Sequence, residues 1–116
     1  MTEMKRIPLP DMVPPGNGEM APVKAGDWRV LVCRVRDKLY AVEDQCSHAD
    51  SALRNGKLKG FLLTCPLHLA RFDVRNGDHQ GPPAFCGIRT FAVEEIDGEV
   101  VVEVPAEKPA GRLGVR

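Results

Sequence analysis

The stretch Thr90-Phe91-Ala92-Val93-Glu94-Glu95-Ile96-Asp97-Gly98-Glu99-Val100-Val101-Val102-Glu103-Val104 decides the fold class. Asp97-Gly98 stands between two segments rich in β-branched residues, the signature of a two-residue hairpin turn whose central positions take positive φ. In that register Phe91 faces Val104, Val93 faces Val102 and Glu95 faces Val100, so one face is apolar while Glu94, Glu99 and Glu103 fall on the other. A second hairpin is predicted from Trp28 to Glu43, turning at Asp37-Lys38, with Leu31, Cys33, Val35, Tyr40 and Val42 on one face. Trp28 is expected to pack at the edge of the resulting sandwich. The 11 glycines and 10 prolines among 116 residues interrupt the chain at short intervals and leave no room for long helices. Short strands at regular spacing predict an all-β fold, an antiparallel β-sandwich or small barrel. The expected single domain covers residues 1–104; Pro105 to Arg116 lacks apolar periodicity and reads as a C-terminal tail.

The charge balance narrows the partners. The 16 Lys plus Arg against 16 Asp plus Glu give a net charge of zero, whereas nucleic acid or an anionic membrane surface calls for a basic excess. Met1 to Pro10 mixes charge with two prolines and has no apolar core, so no signal peptide is expected. The longest apolar runs, such as Val30 to Cys33 and Phe61 to Leu63, fall far short of the roughly 20 residues a membrane helix requires. A cytoplasmic chain, monomeric and without nucleic-acid or membrane partners, is therefore expected. In a reducing compartment its four cysteines are ligands or core residues rather than disulfides.

The chemistry lies between the hairpins. Cys46-Ser47-His48 is followed after 16 intervening residues by Cys65-Pro66-Leu67-His68, each pair at the end of a predicted strand, Tyr40 to Glu43 and Phe61 to Thr64. Side by side, the two loops bring together two thiolates and two imidazoles, a complete inner sphere. A zinc finger usually presents cysteines as one pair and histidines as another, whereas here each loop offers one of each. That order suits a two-metal cluster with both cysteines on one iron and both histidines on the other. A zinc site, or buried residues without a metal, are the alternatives.

Ser47-His48-Ala49-Asp50, Cys65-Pro66-Leu67-His68 with Ala70-Arg71-Phe72-Asp73, Gly81-Pro82-Pro83-Ala84 and the terminal Asp97-Gly98 hairpin together resemble the Rieske-type [2Fe-2S] ferredoxins of bacterial ring-hydroxylating dioxygenase systems, over roughly residues 20–104. The resemblance implies a Rieske-type sandwich with a cluster-binding subdomain of two loops. Cys46 and Cys65 would ligate the inner iron and His48 and His68 the outer one, and Gly81 to Ala84 would match the family's loop over the cluster. It further implies a one-electron carrier between a flavin-dependent, NAD(P)H-oxidising ferredoxin reductase and a Rieske non-haem iron oxygenase of aromatic hydrocarbon catabolism. The Rieske-like small subunit of a nitrite reductase is the alternative within this resemblance, and a structural zinc module the alternative outside it.

Two thiolates and two neutral imidazoles leave an oxidised cluster neutral, against a charge of minus two with four thiolates, so reduction is easier. Potentials of about −150 to +300 mV follow, against about −400 mV for plant-type ferredoxins. High-potential Rieske proteins carry a loop disulfide and hydroxyl donors to the cluster; the matching positions here are Ser51 and Leu67, which cannot form the disulfide, and Ala70 and Phe72, which have no hydroxyl. A potential near the bottom of the window is expected. With His48 and His68 committed, His79 is the last histidine, too few for the two-histidine, one-carboxylate iron site of an oxygenase. No Gly-rich dinucleotide fingerprint follows a strand, so a separate reductase is required. The chain is thus expected to be a carrier and not an enzyme.

Other residues have plainer readings. Cys33 is expected to be a small buried hydrophobe. His79, in Asn76-Gly77-Asp78-His79, reads as a solvated turn residue. Arg71, Arg75, Lys57 and Lys59 flank the loops as soluble surface. Leu69 stands where many relatives have glycine, either relaxing the loop or joining Pro66 and Leu67 in an apolar collar, and Cys86 lies just past the proline loop.

Overall fold

The computed structural model describes residues 3–46, 51–66, 70–80 and 87–107. In chain order these form β1 (Met4–Leu9), β2 (Met20–Ala25), β3 (Trp28–Val35), β4 (Lys38–Glu43), a 3-10 turn (Leu53–Asn55), β5 (Lys57–Lys59), β6 (Leu62–Thr64), β7 (Arg71–Asp73), β8 (Thr90–Ile96) and β9 (Glu99–Pro105). A six-stranded antiparallel sheet runs in the order β1-β9-β8-β4-β3-β2, and a three-stranded sheet in the order β5-β6-β7. The all-β expectation holds.

The β3–β4 hairpin divides the molecule into two cores. Successive strand residues point to opposite faces. Val30 and Val32 of β3 and Leu39 and Ala41 of β4 therefore join Trp28, Phe91, Val100, Val102 and Val104 inside the large sheet. Leu31, Cys33, Val35 and Val42 face the other way and pack with Leu53, Leu63, Phe72, Val74 and Ile88, with Tyr40 against them. The unbroken apolar run Val30 to Cys33 has this cause: both faces of β3 are covered, so no alternate position is left for a polar residue.

The β8–β9 hairpin adopts the expected register, with Val93 opposite Val102 and Glu95 opposite Val100, and turns at Asp97 (φ 52°) and Gly98 (φ 83°). The β3–β4 turn differs from expectation. It lies at Arg36-Asp37 (φ 53° and 67°), one residue before the expected Asp37-Lys38, because Lys38 already pairs with Val35. Left-handed backbone at an L-residue costs about 1–2 kcal/mol. Asn17 offsets part of this from the neighbouring loop: its Oδ1 accepts the Asp37 N–H (2.7 Å) and its Nδ2 donates to Asp37 Oδ1 (2.8 Å). Moving a two-residue turn by one position slides the ladder by two residues and leaves every side chain on its face. The predicted face therefore survives, with Leu31 opposite Val42 and Cys33 opposite Tyr40.

Trp28 does not sit at an edge. It is buried in the inner core of the large sheet, edge-on to Phe91 with ring centroids 5.6 Å apart, and its Nε1 donates to the carbonyls of Pro105 and Glu107, each at 3.1 Å. Those bonds tie the chain down two residues past the last strand, and the Ala106 N–H donates to Glu3 O at 2.7 Å. Residues 108–116 of the expected tail lie outside the described residues. The N-terminal segment supplies an edge strand that sequence reasoning missed: only Ile7 and Leu9 of β1 turn inward, and Pro8, lacking an N–H, is tolerated because the strand is at an edge.

Beyond β7 the chain folds back through a tight turn whose Gly77 (φ +80°) lies against Ile88; the Ile88 N–H donates to Gly77 O at 2.8 Å, and a Cβ on Gly77 would overlap the Ile88 carbonyl oxygen. Gly60 has a similar φ of +58° but open space around it. Gly60→Ala should cost about 1 kcal/mol of unfolding free energy in urea titrations, the backbone penalty alone. Gly77→Ala should cost about 2–4 kcal/mol, because steric overlap adds to it. Equal losses would show that close approach at Gly77 contributes nothing.

Candidate metal centre

Two loops leave the ladders beside the second core, and both are closed in the same way. At the end of β4 the Cys46 N–H donates to Ser51 O (2.9 Å); at the end of β6 the Cys65 N–H donates to Ala70 O (2.6 Å). In each case a cysteine amide bonds to the carbonyl five residues on, with four residues of sequence between them. His48 follows Cys46 by two positions and His68 follows Cys65 by three, so each lies within such a loop.

Cys46 and Cys65 are 1% and 0% exposed and belong to one apolar cluster with Leu53, Leu63, Ala70 and Phe72. The structure thus brings together the two cysteines singled out in the sequence. His48 and His68 lie outside the described residues, as do Leu67, Leu69, Cys86 and the loop Gly81 to Ala84. Two buried soft sulfur donors, with a histidine in the sequence of each loop, fit the donor set of an iron-sulfur cluster that needs thiolates on one iron and nitrogen on the other. Phe72 is fully buried in the same cluster.

The loop bases are held by polar contacts that the sequence pattern does not reveal. Asp44, fully buried, accepts the Arg54 N–H at Oδ1 (2.8 Å) and Arg54 Nε at Oδ2 (2.6 Å). Gln45 donates from Nε2 to Cys46 O at 3.1 Å. On the second loop, Asp73 receives the Arg75 backbone N–H, Nε and Nη2 at 2.9, 3.0 and 2.7 Å, and the Arg75 guanidinium lies over Phe61 at 4.0 Å. Arg75 is therefore more than solvated surface. Nothing in the Glu43-Asp44-Gln45 run distinguishes a buried carboxylate from an exposed one; the signal available was its place two residues before Cys46.

Cys33 behaves as the expected hydrophobe: burial, and then the negative charge of Asp44, pushes its thiol up to about 12. His79 is exposed, and its backbone forms an isolated bridge with Phe72.

The Rieske [2Fe-2S] domain profile matches residues 5–92. The chain belongs to the Rieske [2Fe-2S] family. Within that family it is 40% identical over 87 residues to the ferredoxin component of biphenyl 2,3-dioxygenase from Rhodococcus jostii, covering 75% of this chain and 81% of the relative. Its fold is similar to that of the ferredoxin of carbazole 1,9a-dioxygenase from Nocardioides aromaticivorans, with a TM-score of 0.77, 29% identity and coverage of 83% of this chain and 96% of that one. It is also similar to a chain in a complex of reduced oxygenase and oxidised ferredoxin in carbazole 1,9a-dioxygenase, with a TM-score of 0.71, 35% identity and coverage of 79% and 92%. Rieske membership gives this chain a [2Fe-2S] cofactor, and its relatives are named electron-carrying components, not catalysts. Among the described residues no helix is long and apolar enough to cross a membrane.

The Asp73–Arg75 pair gives the cluster-binding subdomain a pH dependence. The Arg75 side-chain hydrogen bonds hold the Asp73 carboxyl below the usual carboxylate range. A lowered folded-state value means that the pair stabilises the fold above the ordinary carboxylate pKa, about 4, and that this contribution is lost as pH falls through the folded value. In urea unfolding, Arg75→Ala should therefore differ from wild type most at neutral pH, with the gap narrowing below about pH 4. A gap that widens in acid would contradict the assignment.

Proposed function

We propose that Cys46 and Cys65 provide the thiolates, and His48 and His68 the imidazoles, of the Rieske-type cluster. On this reading the chain carries single electrons in the cytoplasm from an NAD(P)H-dependent flavin reductase to the Rieske non-haem iron oxygenase of an aromatic ring-hydroxylating dioxygenase. The observation that carries the reading is the matched closure of the two loops over one buried pair of cysteines. The cluster supplies a one-electron couple when bound. The chain's own residues do the rest: the apolar cluster around Cys46 and Cys65 keeps water from the cysteine sulfurs, and the closing hydrogen bonds fix the bases of the two loops.

Several features support a carrier role. A relative of similar size is the ferredoxin component of a biphenyl dioxygenase, and a structural neighbour was captured with its oxygenase. The net charge of zero argues that partners are met through a small patch and not through bulk attraction. Pro66, next to Cys65, is exposed at the mouth of the second loop, an apolar contact of the kind a transient electron-transfer partner uses.

Dithionite-reduced protein should give a rhombic [2Fe-2S] electron paramagnetic resonance signal with nitrogen couplings from two imidazoles. His48→Ala and His68→Ala should each abolish it, and Cys46→Ser and Cys65→Ser should prevent cluster assembly. A colourless protein with stoichiometric zinc would overturn the reading. In redox titration the midpoint should fall near the lower end of the window of about −150 to +300 mV. A value in its upper half would contradict the absence of disulfide and hydroxyl donors. Mixed with a flavin reductase and a ring-hydroxylating oxygenase, the protein should restore NADH-dependent turnover; restoring only a nitrite reductase would redirect the assignment.

A further inference from the structure

The two ligand loops are closed alike at the cysteine but differ one step further out. The second loop is continued by strand pairing: Thr64 opposite Arg71 and Leu63 opposite Phe72 prolong the closure begun at Cys65. The first loop has no such continuation. Both edges of β4 are already used, by β3 and by β8, so the chain beyond Ser51 finds no free strand to pair with and turns into Leu53–Asn55 instead. Asp44, two residues before Cys46, stands level with Leu63, the second position of the ladder in the other loop. Its own N–H donates to Arg29 O (3.0 Å), fixing it to β3, while its side chain takes both the backbone N–H and Nε of Arg54.

We infer that the Asp44–Arg54 pair is a positioning clamp for the first ligand loop, doing with a carboxylate and a guanidinium what the β6–β7 ladder does for the second. The chemistry of the pair is specific. The two Arg54 donors are received on separate oxygens of one carboxylate, an arrangement that asparagine, with a single side-chain oxygen and an NH2 in place of the second, does not reproduce. The opposite charges make the Nε–Oδ2 bond charge-assisted, and burial of the carboxylate makes loss of the partner expensive, because a charge is then left inside the protein. The clamp spans Cys46, Ser51 and the four residues between them in sequence, His48 among them, so slack at its ends loosens the base of the segment that carries His48.

This inference rests on the proposed ligand set, and its test is arranged to fail separately. Arg54→Ala, Arg54→Gln and Arg54→Lys would be prepared as holoproteins. Cluster release to a chelator would be followed by visible absorbance, and hydrogen exchange by mass spectrometry on the segments 44–54 and 62–73. Arg54→Ala and Arg54→Gln should release the cluster about tenfold faster, with faster exchange confined to 44–54 and altered nitrogen couplings in the reduced spectrum. Arg54→Lys, which keeps a charged donor, should fall between them and wild type. Wild-type release and exchange would overturn the clamp, as would equal acceleration in both segments, the mark of a general loss of stability. If wild-type protein lacks imidazole couplings, the ligand assignment fails, but the contrast between the two segments still decides the clamp.

Discussion

A strand with apolar side chains on both faces can be buried only if both of its edges are hydrogen-bonded, and β3 meets that condition through β2 on one side and β4 on the other. The rest of the molecule is arranged around this. One face of the hairpin closes the inner core with Trp28, Phe91 and the valines of β9; the other presents Leu31, Cys33 and Val42 to the small sheet. A chain of 116 residues, which buries roughly two thirds of its unfolded surface, thus divides its apolar material between two modest cores sharing one wall. A polar substitution at Val32 or Leu31 would therefore reach a different core in each case, though the two residues are adjacent.

The shared wall also determines where the ligand loops begin. β4 has no free edge at its end, and β6 is short, so both chains leave their sheets as loops on the side of the second core. The same amide-to-carbonyl bond closes each loop, but the surroundings supply the remaining order differently. Strand pairing gives the second loop a geometry inherited from a ladder. The first depends on side chains, Asp44 with Arg54 and Gln45 with Cys46, packed beside the buried Leu53. Packing of Leu53 alone would leave the Arg54 N–H to find a partner in the interior, which is the requirement that the Asp44 carboxylate meets.

Much of this was legible in the residues because it obeys a period of two. The Val93–Val102 pairing and the Leu31, Cys33, Val42 face could be read from alternation and from Asp97-Gly98. The β3–β4 turn was misplaced by one residue because Arg36 carries no turn signal; the left-handed Asp37 beside it is supported by Asn17, 20 positions earlier, a contact that no local pattern reports. Trp28 was misread for a related reason: its indole N–H is satisfied by carbonyls at Pro105 and Glu107, so burying it depends on the far end of the chain. The cysteine positions were visible from spacing, whereas the groups that brace them were not. An aspartate before a cysteine has the same one-letter appearance whether it is solvated or clamped.

Three cysteines lie in one apolar cluster, Cys33, Cys46 and Cys65, and only two stand at loop bases. What separates the third is its setting in mid-strand. Cys33 is paired on one side with Met20 and on the other with Tyr40, and its thiol, raised to about 12 by burial and by the Asp44 charge, stays protonated throughout the physiological range. Metal ligation needs a thiolate. The negative charge that Asp44 brings to the base of the first loop therefore has two consequences: it receives Arg54, and it makes ionisation of the neighbouring core thiol still less favourable. Cys33 can therefore serve as a small hydrophobe in the cluster that holds Cys46 and Cys65, because it sits in mid-strand, away from the loop bases, and burial, more than the Asp44 charge, keeps its thiol protonated.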